Sequence, residues 1–243
     1  MSLQSNATPS PAQPATEAAA PVRAVIFDCD GTLVDSEGPA IDVLYALALD
    51  EGAVLDRAEA DLRFRGVRMA DCARWVAAQR PGRPPDFEAD FIRRVRAASE
   101  QRFRQGLDSL PGAADLLALL ASPALGLPFC VATNGPREKV ELTLALTGLR
   151  EHFGAQVFCA YEVGSFKPAP GLFLHAAQAL GVPPAACAVV EDSLPGIHAG
   201  LAAGMQVYAL IAPAEVPAEL RSQLRFIAGL AEFGALMQAA RAA

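Results

Sequence analysis

Short apolar runs recur along the sequence and alternate with stretches of helical periodicity. The first run covers residues 22–27 and ends at Asp28. Similar runs occupy residues 127–133, 156–159, 187–190 and 205–211, and helical patterns lie between them at residues 113–120, 136–146, 172–180 and 194–203. Strands that alternate with helices form right-handed βαβ units around a parallel sheet. The sequence therefore predicts an α/β fold with a three-layer, Rossmann-like core.

Residues 37–106 interrupt this alternation. They contain no convincing strand pattern, and their amphipathic stretches cover residues 41–49, 71–79 and 87–103. The pattern predicts a helical insert over residues 37–106, placed after the first strand of a core made of residues 21–36 and 107–243. Residues 1–20 are rich in Ala, Pro, Ser and Thr and lack the features of a signal peptide, so we predict a flexible tail there.

Composition restricts the class of partner. The net charge of −7 argues against a nucleic-acid surface, which needs clustered Lys and Arg to neutralise phosphates. No apolar run reaches the roughly 18 to 20 residues that span a bilayer. The five cysteines show no CxxC pairing, which is typical of reduced thiols in a cytoplasmic protein. The expected partner is a small molecule, and no oligomeric state is predicted.

Two carboxylates follow the first predicted strand, in the segment Phe-Asp-Cys-Asp-Gly-Thr at residues 27–32. Because residues two apart in an extended segment face the same side, Asp28 and Asp30 are expected to converge. Close carboxylates favour a bound cation, and Mg²⁺ prefers oxygen ligands. Asp28 is then the candidate nucleophile and Asp30 the candidate general acid and base. Taken alone, the pair also fits an acidic turn closed by Gly31.

This segment resembles the DxDx(T/V) signature of the haloacid dehalogenase superfamily of phosphatases and mutases. The resemblance implies that Thr133, after the apolar run at residues 127–132, binds the transferring phosphoryl group and that Asn134 adds a polar donor. It also implies that Lys167, in Phe-Lys-Pro-Ala-Pro, stabilises charge on the phosphoryl oxygens. The implied activity is phosphate-ester hydrolysis through an aspartyl-phosphate intermediate.

The fourth similar segment is Val-Val-Glu-Asp-Ser at residues 189–193. The resemblance makes Asp192 a metal ligand, and it leaves Glu191 either as a ligand through water or as a neighbour that supports one. The implied metal set is therefore Asp28, Asp30 and Asp192, with Mg²⁺ as cofactor. A helix N-cap at Asp192 or Ser193 is an alternative that is compatible with ligation.

The resemblance also narrows the substrate. Hydrolytic dehalogenases of the superfamily lack the second Asp, so Asp30 favours phosphoryl transfer. The helical insert resembles the family's mobile cap, which closes over small metabolites. Arg65 and Gly66, in Arg-Phe-Arg-Gly-Val, resemble the specificity loop of sugar-phosphate members. These patterns, together with Asn-Gly-Pro at residues 134–136, are similar to the 6-phosphogluconate phosphatase branch and imply a sugar-phosphate or sugar-acid phosphate substrate.

Two alternatives stay open at this point. A mutase of the β-phosphoglucomutase type shares all four segments, but such mutases carry a His ten residues after the second Asp, where this chain has Ala40. A non-catalytic regulatory protein on the same fold would be expected to lack a nucleophile, a lysine or a metal ligand. Asp28, Lys167 and Asp192 are all present.

Overall fold

The structure is a computed structural model that describes residues 20–242, so the predicted tail lies outside the described residues except for Ala20. Six parallel strands form one sheet in the order β3-β2-β1-β4-β5-β6. The strands are β1 (Ala24–Phe27), β2 (Phe129–Thr133), β3 (Val157–Cys159), β4 (Cys187–Glu191), β5 (Gln206–Ala209) and β6 (Leu224–Phe226). β1 is therefore central, with β2 and β4 on its two sides.

The helices fall into two groups. Between β1 and β2 lie α1 (Glu37–Asp50), α2 (Arg57–Phe64), α3 (Met69–Ala78), α4 (Phe87–Arg104) and α5 (Ala113–Ala121). After β2 come α6 (Arg137–Leu146), α7 (Ala160–Val163), α8 (Gly171–Leu180), α9 (Leu194–Ala202), α10 (Ala218–Arg221) and α11 (Leu230–Ala242). Single 3-10 turns occupy Arg150–His152, Pro184–Ala186 and Pro213–Glu215.

Alternate residues of the sheet pack into two separate hydrophobic clusters. Val25 and Phe27 of β1 belong to a cluster with side chains of α5, α6 and α11, whereas Ala24 and Ile26 belong to a cluster with α8 and α9. Because successive side chains of a strand point to opposite faces, this division shows that helices cover both faces of the sheet. The predicted three-layer α/β core is confirmed.

Helices α1 to α4 share a third hydrophobic cluster, which lies apart from the two clusters of the sheet. Its members include Leu44 of α1, Phe64 of α2, Val76 of α3 and Phe91 of α4, all buried. Residues 37–106 contain no strand, and α4 also contacts α6 of the sheet's helical layer. These four helices therefore pack mainly on one another while α4 reaches the core.

The predicted elements differ from the observed ones at their ends by no more than two residues, except that α1 begins four residues before the predicted start at residue 41. The sequence did not identify β6, α2, α7, α10 or α11. β6 has only three residues at the edge of the sheet and α2 spans two turns, so neither carries enough periodicity to identify it. Among residues 20–242, no helix combines the length and the hydropathy that crossing a bilayer requires.

Candidate active site

The carboxyl ends of the three central strands lie side by side. Phe27, the last residue of β1, is in register with Val131 of β2 and with Val190 of β4. The residues that follow these positions therefore reach one edge of the sheet, where ligands of open α/β folds bind. Asp28 follows β1, and Thr133 and Glu191 end β2 and β4. Lys167, in the loop before α8, joins them.

Lys167 links two of the carboxylates. Its Nζ lies 2.5 Å from Asp28 Oδ1 and 2.5 Å from Glu191 Oε1. All three residues are buried, and the ammonium also lies 4.7 Å from the centre of the Phe173 ring. Since an unpaired buried charge is strongly unfavourable, Lys167 and the two carboxylates depend on one another for their charged states.

Asp28, Glu191 and Asp192 form a cluster of oxygen donors. One carboxylate oxygen from each lies within 4.8 Å of the others. Thr32 Oγ1 donates to Asp192 Oδ1 at 2.9 Å and so orients this carboxylate. The donors are all hard oxygens, and only two of the three carboxylates, Asp28 and Glu191, pair with the Lys167 ammonium, so the residues present fit a divalent cation such as Mg²⁺.

Gly31 makes room for Asp192. A Cβ on Gly31 would lie 2.1 Å from Asp192 Oδ2, and the residue has φ +80°, a region that favours glycine. The glycine after the Asp pair therefore has a double role, since it makes the turn and lets the distant carboxylate approach the backbone of that turn.

Glu191 is held from two sides. Besides Lys167, both the backbone N and the Oγ of Ser193 donate to Glu191 Oε2, at 3.1 and 2.9 Å. Ser193 also caps α9 by accepting a hydrogen bond from Gly196 N at 3.2 Å. The N-cap that the sequence assigned to Asp192 or Ser193 is thus Ser193, which leaves the Asp192 carboxylate available to the site.

Asp30 has different partners from Asp28. Ser36 Oγ donates to Asp30 Oδ1, and Lys139 Nζ lies 2.8 Å from Asp30 Oδ2. The Asp30 carboxylate is not part of the oxygen cluster, so its predicted role as a side-chain metal ligand stays a prediction. Lys139 escaped the sequence analysis, although its place in the first turn of α6, close after Thr133, was a usable signal.

Thr133 and Asn134 lie between the nucleophile and the lysine loop. Gly135 N donates to Thr133 Oγ1 at 3.0 Å. The Asn134 amide accepts from Lys167 N at 2.9 Å and donates to Lys167 O at 3.2 Å. Asn134 therefore fixes the backbone that carries Lys167, a role the sequence did not suggest, while its predicted contact with substrate stays a prediction.

The pKa values of Asp28 and Asp192 are raised, whereas that of Asp30 is lowered. Burial raises the pKa of Asp28 to about 7, with Glu191 adding to the shift and Lys167 opposing it. Burial, followed by the charges of Glu191 and Asp28, also raises the pKa of Asp192. Burial opposes ionisation of Asp30 as well, but the Lys139 ammonium and hydrogen bonds from Lys139 and Ser36 outweigh it and lower the pKa of Asp30.

A cavity of about 980 Å³ separates these residues from helices α1 to α4. Asp28, Asp30, Thr133 and the other predicted core-site residues line it on one side, and the predicted cap residues line it on the other. Gly66 has φ +68°. Arg65 beside it forms ion pairs with Glu37 and, at 2.6 Å, with Asp61. The structure therefore brings all the predicted site residues to one cavity, with Arg65 already paired.

Comparisons with known proteins agree with this geometry. Residues 22–204 match the family described as haloacid dehalogenase-like hydrolase. The chain belongs to this family. It is 33% identical to 6-phosphogluconate phosphatase of Escherichia coli strain K12 over 77% of this chain and 81% of that protein. It is also 33% identical to hexitol phosphatase A of the same strain, over 79% of this chain and 84% of that protein.

A solved structure shows the same likeness in three dimensions. A haloacid dehalogenase family hydrolase from Deinococcus radiodurans R1, crystallised with bound phosphate and sodium, is 36% identical and has a TM-score of 0.71. The match covers 91% of this chain and 97% of that one. The predicted family and the predicted class of enzyme, a phosphoric monoester hydrolase of the haloacid dehalogenase type, are therefore confirmed.

Proposed function

We propose that this hydrolase is a Mg²⁺-dependent phosphatase of a small sugar phosphate or sugar-acid phosphate that works through an aspartyl-phosphate intermediate. The observation that carries the proposal is the position of Asp28 at the carboxyl end of the central strand. There its carboxylate meets Lys167 and lies beside Asp192 at the floor of the cavity. A nucleophile, a fixed cation and additional oxygen donors thus converge on one point.

The first step forms a bond between an Asp28 oxygen and phosphorus as the bond from phosphorus to the ester oxygen breaks. Asp30, which has to be protonated first although Lys139 lowers its pKa, gives a proton to the departing oxygen. In the second step water attacks the phosphoryl-aspartate, Asp30 takes its proton back, and phosphate leaves with Asp28 restored. The Thr133 hydroxyl and the Lys167 ammonium bind the phosphoryl oxygens and stabilise their charge in both steps.

The proposed metal ligands are Asp28, Asp30 and Asp192, and Glu191 contributes through its place in the oxygen cluster. When bound, Mg²⁺ supplies positive charge that reduces repulsion between the Asp28 carboxylate and the phosphate ester. Lys167 performs part of this task permanently, because it is paired with Asp28 and Glu191.

Residues 37–106 are proposed to be the cap of a core formed by residues 21–36 and 107–243. The separate hydrophobic cluster of α1 to α4 and the cavity beneath them support this division. A cap of this kind excludes water from the phosphoryl-enzyme and restricts access to small molecules. We accordingly propose a free metabolite in the cytoplasm as substrate, a location with which the five buried cysteines are compatible.

The names of the two bacterial relatives support the class of substrate. One is a phosphatase of 6-phosphogluconate and the other of hexitol phosphates. Both substrates are linear, polyhydroxylated phosphate monoesters, and 6-phosphogluconate additionally carries a carboxylate. We propose this class for the present enzyme, with Arg65 and Gly66 at the wall of the cavity that receives the sugar chain.

A phosphosugar mutase is the second candidate because it shares the fold and the site. Ala40 lines the cavity at the position where such mutases carry a His, and no residue in the described lining is a histidine. Incubation with a β-hexose 1-phosphate, followed by NMR, separates the two reactions. Free hexose is the expected product, and accumulation of the 6-phosphate would instead establish a mutase.

Replacing the nucleophile tests the mechanism. Asp28→Asn is expected to lower phosphate release from 6-phosphogluconate and from a hexitol 6-phosphate by at least about 10³-fold, since no other group can form the intermediate. Unchanged circular dichroism would show that the fold is retained. Activity near that of the wild-type enzyme would overturn the role of Asp28 as nucleophile.

Metal binding can be measured without turnover. Mg²⁺ is expected to raise the thermal unfolding temperature of the wild-type protein in a concentration-dependent way, because a ligand of the folded state stabilises it by mass action. Asp192→Asn should remove most of this shift, whereas Asp86→Asn, on the cap far along the chain from the cluster, should keep it. Equal shifts in all three proteins would exclude Asp192 as a ligand.

A further inference from the structure

Six basic side chains line the cavity, and five of them already have a carboxylate partner. Lys139 pairs with Asp30, and Lys167 with Asp28 and Glu191. The paired arginines are Arg65 with Glu37 and Asp61, Arg68 with Asp71, and Arg104 with Glu100. An arginine whose N–H donors are taken by protein carboxylates has fewer of them left for an anionic ligand.

Arg96 is the exception. Within residues 20–242 it forms no ion pair, and its one polar side-chain contact is from Nη2 to the Tyr161 hydroxyl, at 3.4 Å. A guanidinium carries five donors, so almost all of its hydrogen-bonding capacity remains open. The neighbouring acid, Glu100, accepts two hydrogen bonds from Arg104 instead.

Arg96 is also connected to the catalytic lysine loop. The Tyr161 ring packs edge-on against Phe166, with 4.9 Å between ring centres, and Phe166 directly precedes Lys167. Arg96, Ser99 and Phe103 of α4 all line the cavity, as expected for residues three and four apart on one helix face. The contact between Arg96 and Tyr161 thus bridges the cap helix and the core along one wall of the cavity.

We propose that Arg96, supported by Tyr161, binds the second anionic group of the substrate, the carboxylate of a sugar-acid phosphate, while Lys167 and Thr133 hold the phosphoryl group. This inference rests on the proposed function and makes Arg96 a specificity-determining residue. The planar fork of a guanidinium matches a carboxylate with two parallel hydrogen bonds. Arg65, the residue that the sequence suggested for this task, would first have to give up Glu37 and Asp61.

A matched pair of substrates isolates the carboxylate. 6-Phosphogluconate and glucitol 6-phosphate share the carbon skeleton and the phosphate, and they differ at carbon 1, which is a carboxylate in one and a hydroxymethyl group in the other. The quantity to measure is the ratio of kcat/KM for 6-phosphogluconate to kcat/KM for glucitol 6-phosphate. Arg96→Gln is expected to lower this ratio about 10- to 100-fold, mainly through KM, as for the loss of a charge-assisted hydrogen bond.

Three further variants complete the test. Arg96→Lys should recover part of the ratio because it retains the charge, and Tyr161→Phe should lower it by a smaller factor. Arg93→Gln, one helical turn earlier on α4 and paired with Asp90, is the control and should leave the ratio unchanged. If Arg96→Gln changes both substrates equally, or neither, Arg96 is a solvated surface residue and the inference fails while the proposed function stands. If the wild-type enzyme hydrolyses neither ester, the proposed substrate class fails as well.

Discussion

At the scale of single residues, the candidate site depends on pairs of charges that keep each catalytic carboxylate in a defined state. Asp28 and Asp30 are two residues apart, yet they have separate cations, Lys167 and Lys139. Their pKa values shift in opposite directions, with Asp28 raised to about 7 and Asp30 lowered. These directions are the reverse of what an ionised nucleophile and a proton-donating acid need, so the proposed roles require a bound cation to favour the ionised form of Asp28 and bound substrate to offset the effect of Lys139 on Asp30.

Lys139 is predicted to position Asp30. Lys139→Ala is expected to lower kcat about 10- to 100-fold with a smaller effect on KM, because Asp30 loses the cation that orients it for proton transfer. Lys139→Arg retains the charge and should keep most of the activity. Steady-state kinetics with 6-phosphogluconate or glucitol 6-phosphate will measure both. A rise in kcat in the Ala variant would mean that the pair restrains Asp30 and does not help it.

Gly31 is predicted to be needed for two reasons: it allows the turn, and it leaves space for the Asp192 carboxylate. Gly31→Ala would place a Cβ 2.1 Å from Asp192 Oδ2, so we expect that at least about tenfold more Mg²⁺ is needed for half-maximal activity. Gly52→Ala is the matched control, since Gly52 has φ +84° and open space around it. It should share the backbone strain of about 1–2 kcal/mol and keep the wild-type Mg²⁺ dependence. Identical Mg²⁺ dependence in both variants would contradict this role.

At the scale of elements, a partly buried acid connects α1 with α4. Glu51 follows α1 and forms ion pairs with Arg83, before α4, and with Arg94 within α4. The two guanidinium groups also lie over the rings of Phe87 and Phe91, at 4.3 and 5.6 Å. One carboxylate therefore connects the end of α1 to α4 and to the segment before it.

Glu51→Gln is predicted to destabilise this group of helices by about 1–3 kcal/mol, since charge-assisted hydrogen bonds are lost. Arg83 is left without a carboxylate in the described chain, while Arg94 keeps Asp90. Glu59→Gln is the control, because Glu59 is exposed and lies 3.5 Å from Arg63. Its effect should stay below about 1 kcal/mol. Urea unfolding gives both values, and equal effects would show that the Glu51 contacts add nothing beyond a surface pair.

The same carboxylate makes the stability depend on pH. Burial opposes ionisation, but hydrogen bonds from Arg94 and Arg83 outweigh it and lower the pKa of Glu51 below its ordinary value of 4.5. The stabilisation is therefore complete above about pH 4.5 and is lost as the pH falls through the lowered value. The wild-type protein should therefore lose stability more steeply than Glu51→Gln as the pH falls below about 4.5.

At the scale of the whole molecule, the C-terminal helix completes the cover of the sheet. α11 packs beside α5, and its Phe233 is fully buried against Phe27 and Tyr208, with ring centres 6.3 and 4.8 Å away. Phe27 directly precedes the candidate nucleophile. A helix at the end of the chain thus supports the strand that carries Asp28.

Phe233→Ala is predicted to lower the free energy of unfolding by about 3–5 kcal/mol, the usual loss when a buried aromatic side chain is removed. Leu236→Ala on the same helix is the control, since Leu236 is 39% exposed, and it should change the value by about 1 kcal/mol or less. Guanidinium unfolding followed by circular dichroism measures both. A small effect at Phe233 would show that α11 is dispensable for the core.

The sequence alone determined that helices cover a parallel sheet and that the candidate catalytic residues lie at the carboxyl edge of that sheet. Apolar periodicity is a local property, and parallel strands bring their carboxyl ends to one edge, so Asp28, Thr133 and Asp192 could be placed together before any coordinates. Short or edge elements such as β6 escaped because too few residues carry their pattern. The helix α11 was missed because its apolar face can be recognised only from its packing on the sheet.

Only the tertiary structure decided which charges meet. Lys139 pairs with Asp30 across 109 positions of sequence, Arg65 with Glu37, and Asn134 with the backbone of Lys167. Arg96, by contrast, stays without a carboxylate in the described chain. Electrostatic partners are set by distances of a few ångströms between segments far apart along the chain, and neither residue type nor spacing encodes such distances. Only the tertiary structure therefore distinguishes Arg65 from Arg96 as the group that recognises an anion.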